Sequence, residues 1–162
     1  MEEQFQKLLA ANGPALLRLA ASYTRNQGDR DDLFQEISLA IWRALPRFRG
    51  DSSERTFIFR IAHNRGMSHI AKQKYYASAD EPDEIVDPKP DPETSLKSEQ
   101  RYERLLQAIR SLPLQYRTVV TLMLEGMSYA EIADVAGLSE SNVGVRLNRA
   151  RDMLRNSLED KP

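Results

Sequence analysis

Ser128-Tyr-Ala-Glu-Ile-Ala-Asp-Val-Ala-Gly-Leu-Ser-Glu-Ser-Asn-Val-Gly-Val-Arg-Leu-Asn-Arg-Ala-Arg151 decides the architecture of this chain. Ser128 and Glu131 stand at the spacing of a reciprocal cap, in which hydroxyl and carboxylate each accept from the other residue's backbone N–H. They open a short helix whose buried side is Ile132 and Ala133. Gly137 falls where a tight turn between helices needs positive φ. Ser139 then caps a second helix with Val143, Leu147, Ala150 and Leu154 as its inward stripe. At about 100° per residue, Asn142, Val145 and Arg149 point away from that stripe and Arg146 sits at its edge. This is a helix-turn-helix with a face suited to the major groove: small or polar side chains for base edges, arginines for guanine or phosphate. With Ser141 at its N-terminal end, these five residues are the candidate duplex-reading set.

Working outward, the rest of the chain also carries apolar residues at spacings of three and four, with no sustained strand-like alternation. Leu16, Leu19, Ala20 and Tyr23 predict one helix after Gly13-Pro14. Leu33, Ile37, Ala40, Ile41 and Leu45 predict a second, started by Asp29, Asp31 and Asp32 and closed before Pro46. A third runs from about Ser53 through Phe57, Ile61 and Ile70. Leu105, Leu106, Ile109 and Leu112 stop at Pro113, and Tyr116, Val119, Val120 and Met123 stop at Gly126. The fold class is all-α, and Trp42 reads as a packing residue within it.

Between these helices lies Ala79-Asp80-Glu81-Pro82-Asp83-Glu84 and onward through Asp87-Pro88-Lys89-Pro90-Asp91-Pro92, acidic and rich in proline. It holds too little apolar surface to offset the entropy of ordering it. The expected organisation is therefore a helical domain over 1–76, a linker over 77–98, and a helix-turn-helix domain over 99–162. The net charge of −1 conceals this division: residues 1–75 hold 12 Lys/Arg against 8 Asp/Glu, whereas residues 76–100 hold 2 against 8. The basic front suits nucleic acid.

Other classes are excluded by composition. The chain has no cysteine, which removes disulfides, thiolate metal sites and a cysteine nucleophile. His63 and His69 lie six apart, about 240° around a helix, and cannot share a face as metal ligands. No phosphate-cradling glycine loop or nucleophile–base arrangement can be assembled, so neither an enzyme, a cofactor nor a small-molecule substrate is expected. No apolar run reaches the roughly 18 residues of a membrane span, and the acidic start MEEQFQKLLAANG is unlike a signal peptide; a cytoplasmic address is expected.

A helix-turn-helix alone is shared by repressors, response regulators and initiation factors. Separating them is the run Asp31-Asp-Leu-Phe-Gln-Glu-Ile-Ser-Leu-Ala-Ile-Trp-Arg-Ala-Leu-Pro-Arg-Phe-Arg-Gly50, followed by Thr56-Phe-Ile-Phe-Arg-Ile-Ala-His-Asn64. It resembles the core of bacterial RNA polymerase sigma factors of the extracytoplasmic-function group, and Leu112-Pro113 through Arg151 resembles the same family's upstream-element reader. The resemblance implies that Asp32, Gln35, Glu36 and Leu39 dock on the clamp helices of the largest subunit of core RNA polymerase. It also implies that the loop Gly50–Glu54 and the helix after it capture the opened minus-ten strand of promoter DNA. Within that helix Arg55 and Arg60 would attract phosphate, Phe57 and Phe59 stack on unpaired bases, and Asn64 and Ser68 bond to base edges. Arg47, Arg49, Arg65, Lys72 and Lys74 add basic charge. An anti-sigma factor is implied as a further partner, and the linker would either thread the polymerase channel or serve as a tether.

Some positions depart from the family pattern. Phe57 stands where tryptophan is usual, and Gly144 and Val145 replace a more usual basic residue and serine. The competing reading is a free-standing regulator that binds operator DNA as a dimer, its N-terminal helices serving dimerisation or ligand sensing.

Overall fold

The computed structural model describes residues 1–77 and 97–159. The expected linker falls mainly on 78–96, outside the described residues. Among the described residues seven α-helices follow in order: α1 Glu2–Tyr23, α2 Gln27–Ala44, α3 Glu54–Ala77, α4 Lys97–Ser111, α5 Leu114–Leu124, α6 Tyr129–Ala136 and α7 Glu140–Glu159. A short 3-10 turn, Leu45–Arg47, prolongs α2 through Pro46. Among the described residues there is no strand.

The first helix is longer than the pattern predicts. Gly13-Pro14 was expected to precede it, yet Pro14 lies inside α1. Proline removes one backbone donor and crowds the carbonyl four residues back. Here Leu8 on one side and Leu16 and Leu19 on the other are all buried, so tertiary packing holds both flanks of the proline in one helix. The start of α2 likewise has an unforeseen cap, the Asn26 side chain, which accepts from the Asp29 backbone N–H at 2.8 Å. Ser53 does the same for α3, its hydroxyl accepting from the Thr56 N–H at 3.0 Å.

Helices α1, α2 and α3 pack on one another around Leu16, Leu19, Leu33, Ile37, Ile41, Ile58 and Phe59, all fully enclosed. Helices α4 to α7 surround Val119, Leu122, Ile132, Val143 and Leu147. The two groups then meet, α1 against α5 and α3 against α6, and their buried side chains form one continuous cluster.

Tyr23 occupies the middle of that junction. Its ring packs against Gly66 of α3, where an added Cβ would come within 2.3 Å of the ring carbon Cδ2. Its hydroxyl is 2.7 Å from Nδ1 of His63 and is reached by the Thr118 side chain from α5. The phenol and the imidazole share one hydrogen bond, its donor set by the imidazole tautomer. Burial raises the Tyr23 pKa and lowers that of His63, so both are held neutral. Arg117, whose own pKa burial lowers, lies close enough to act on the phenol, and a charged His63 would add a second cation to the same interior.

Two outcomes follow from this junction. Gly66→Ala should cost about 1–3 kcal/mol or more in urea unfolding, because the new methyl has only an aromatic ring to displace. His63 takes up a proton more readily unfolded than folded, so stability should fall as pH drops through about 6.5 and below. His63→Gln should flatten that dependence between about pH 5 and 7, read by thermal unfolding across a buffer series.

Candidate nucleic-acid and polymerase interface

The helix-turn-helix is built as its residues dictate. The Ser128 hydroxyl accepts from the Glu131 N–H at 3.2 Å, and the Glu131 carboxylate accepts from the Ser128 N–H at 3.0 Å. That backbone bond is the main cause of the lowered Glu131 pKa. Gly137 takes φ of 71° and ψ of 37°, and Leu138 donates back to the Ala133 carbonyl at 2.9 Å, closing α6 in a left-handed turn. Ser139 accepts from the Asn142 N–H at 3.0 Å and starts α7. Val143, Leu147 and Ala150 are buried beneath α7, while Ser141, Asn142, Val145 and Arg149 are exposed on its other side and Arg146 is half-buried at the edge. Four of the five candidate duplex-reading residues therefore share the outward side of one helix, and Arg146 borders it. Gly144 lies against Tyr129 of α6, where an added Cβ would sit at 3.5 Å, an ordinary contact.

On α2, Asp32, Gln35, Glu36 and Leu39 are all exposed and fall on one face by their spacing of three, one and three. Trp42 continues that line. It was expected to be a packing residue, and it does meet Phe5 edge-on with centroids 5.0 Å apart, but 37% of it stays open to solvent. Leu39 and Trp42 thus form an apolar centre among polar ends, and Trp42 is a member of this face that its core-like residue type conceals.

On α3, Phe57, Arg60, Asn64 and Ser68 align on one face at spacings of three and four. Asn64 and Ser68 are exposed, and Phe57 is half-buried beside Phe48 at 4.8 Å. Phe59 does not join them. It was expected to stack on unpaired bases, yet it is 0% exposed, so its ring has no free face for a base in this conformation. Arg55 lies on the side of α3 away from Phe57, its guanidinium 5.4 Å from the Phe59 ring centroid. Among the described residues no three of His, Asp and Glu lie close enough to hold a metal ion. No described helix is long and apolar enough to cross a membrane.

Two family descriptions match this arrangement, Sigma-70 region 2 over residues 8–75 and Sigma-70 region 4 over residues 102–154. The ECF RNA polymerase sigma-E factor of Escherichia coli K12 is 32% identical over 143 residues, covering 82% of this chain and 75% of the relative. The chain belongs to the sigma-70 family, among its ECF sigma factors. A second relative, the RNA polymerase sigma factor NccH of Alcaligenes xylosoxydans xylosoxydans, is 30% identical over 156 residues, covering 93% of this chain and 84% of that one. In three dimensions the chain is similar to CnrH in complex with the cytosolic domain of CnrY, with a TM-score of 0.74 and 27% identity over 100% of this chain and 92% of the other. It shares the fold of the sigma factor RpoE in complex with the anti-sigma factor NepR from Bartonella quintana, with a TM-score of 0.82 and 23% identity over 99% of both chains.

Sigma factors of this family direct promoter recognition and transcription initiation with RNA polymerase, and are not themselves catalytic. Membership favours that role over a free-standing dimeric regulator, since both family regions match in one chain and in order.

Removing the α6 cap should weaken the helix-turn-helix without touching the outward side of α7. Ser128→Ala should destabilise the protein by about 1 kcal/mol in urea unfolding, and Ser128→Asp should recover most of that loss.

Proposed function

We propose that this sigma factor grips promoter DNA at two places while docked on core RNA polymerase. Helix α7 enters the major groove of the upstream element with Ser141, Asn142, Val145, Arg146 and Arg149. Helix α3 receives the opened minus-ten strand, with Arg60 as a phosphate ligand, Asn64 and Ser68 as base-edge ligands and Phe57 as a flanking aromatic, while Arg55, on the far side of the helix, adds positive charge near the strand. The exposed α2 line of Asp32, Gln35, Glu36 and Leu39, extended by Trp42, docks on the clamp helices of the largest subunit. The division at 1–76 and 99–162 belongs to this reading, as does residence in the cytoplasm beside the polymerase. An anti-sigma factor is part of it as well, supported by the solved complexes of CnrH with CnrY and of RpoE with NepR.

The observation that carries the proposal is the outward side of α7, where polar, small and basic residues are exposed directly above an apolar stripe that fixes the helix. Such a helix presents the same few residues to whatever groove it enters. Linking it to a second weak DNA reader raises the overall affinity without a large basic patch on either.

Run-off transcription by core polymerase plus this chain on a genomic template library tests the reading. Initiation at a shared promoter sequence is expected, and a core left inactive on every template overturns it. Arg149→Ala should reduce initiation about tenfold or more at that promoter, as expected for loss of one contact worth 1–3 kcal/mol. Leu39→Asp should instead abolish association with core polymerase while leaving the chain folded, since position 39 is already half open to solvent.

A further inference from the structure

Helix α7 carries a glycine well inside its length, and no contact among the described residues accounts for it. Gly144 is helical and is not one of the positive-φ glycines, which are Gly50, Gly126 and Gly137, so its backbone does not use the freedom that glycine gives. Among the described residues a Cβ there would meet only the Tyr129 ring, at 3.5 Å from Cε2, an ordinary contact. Alanine would fit and would favour the helix, since glycine is the poorer helix former. A side chain is missing where neither packing nor conformation forbids one. What remains is the other use of a glycine, which is to let something outside the chain come close to its backbone.

The surroundings of Gly144 define what such a visitor would meet. The Tyr129 ring from α6 is 38% exposed and Val145 is 42% exposed, two large apolar side chains beside an outward face otherwise made of Ser141, Asn142 and Arg149. Valine methyl groups and the face of a phenol ring offer no hydrogen bond to phosphate or guanine. Their complement in the major groove is the C5 methyl group of thymine.

We propose that Gly144 lets α7 sit close against the floor of the groove, where Val145 and the Tyr129 ring each cover a thymine methyl group of the upstream element. Selection at this level of the helix is then for thymine-bearing pairs, made by apolar contact, and Asn142 and Arg149 are left to the polar readout. The inference rests on the assignment of α7 to the upstream duplex and names the bases that two side chains select there.

Promoter duplexes in which single upstream thymines are replaced by uracil provide the test, because uracil keeps every hydrogen-bonding group and lacks only the methyl. Binding of the full chain with core polymerase to the promoter found by run-off transcription should weaken about fourfold at each of two positions, the ratio that one buried methyl group is worth. Val145→Ala should bind thymine and uracil duplexes alike at the first position, and Tyr129→Ala should do so at the second. Tyr129→Phe should keep the difference, because the ring remains. Gly144→Ala should raise the urea midpoint of the chain and yet weaken promoter binding several-fold, opposite signs that a merely structural glycine would not give.

Equal affinity for thymine and uracil at every upstream position, or an upstream element with no thymine on either strand, overturns the methyl contacts. A Gly144→Ala chain that binds the promoter as tightly as before overturns the close approach. If Arg149→Ala still weakens the same promoter in those cases, α7 remains the upstream reader and only this inference is lost. If Arg149→Ala, Val145→Ala and Tyr129→Ala all leave binding unchanged, the assignment of α7 fails and the methyl contacts fail with it.

Discussion

The Tyr23 ring pressed against Gly66 is the contact on which the arrangement of this molecule depends. Only at a position without a Cβ can α1 and α3 come so close that an aromatic ring lies on helix backbone. That approach carries the phenol into the interior, where its hydroxyl requires a partner and finds it in His63 on α3, with Thr118 of α5 close by. A buried polar pair is costly when broken, so it fixes α1 against α3, and the continuous apolar cluster seats α5 beside them. With α5 placed, Glu125 at its end lies under Arg18 and Arg55, and α6 lies along α3.

The forces at the junction differ in strength and reach. Apolar burial supplies the adhesion, since the two sets of core residues merge into a continuous cluster. The arginine pairs at its rim are partly solvated, and such pairs are worth only about 0.2–1 kcal/mol each. They therefore add direction more than stability: each sets which oxygen an arginine faces. A chain with net charge of −1 can in this way keep a basic front without leaving all of its guanidinium groups unpaired.

Local signals were legible in the sequence and non-local ones were not. The capping box of Ser128 and Glu131, the left-handed turn at Gly137 and the two-sided character of α7 are all set by residues within four positions of each other, and all stand as the spacing predicts. Pro14 reads as a helix start by the same local logic, and fails because buried leucines on either side outweigh one lost hydrogen bond. Phe59 was misplaced because α3 contacts α1, α2 and α6, so its apolar residues cover several faces instead of one stripe. Arg18 and Glu125 are 107 positions apart and leave no periodic trace of their pairing. The Asn26 cap was readable, three residues ahead of Asp29, but the neighbouring acids offered a simpler start.

The division of labour within α7 has an evolutionary consequence. Val143, Leu147 and Ala150 anchor the helix from below, whereas Ser141, Asn142, Val145 and Arg149 on its outward side are exposed. Exchanging a solvated side chain typically changes stability by less than about 0.5 kcal/mol. Descendants of this gene are thus free to vary the chemistry along a single ridge, with the scaffold beneath inherited intact.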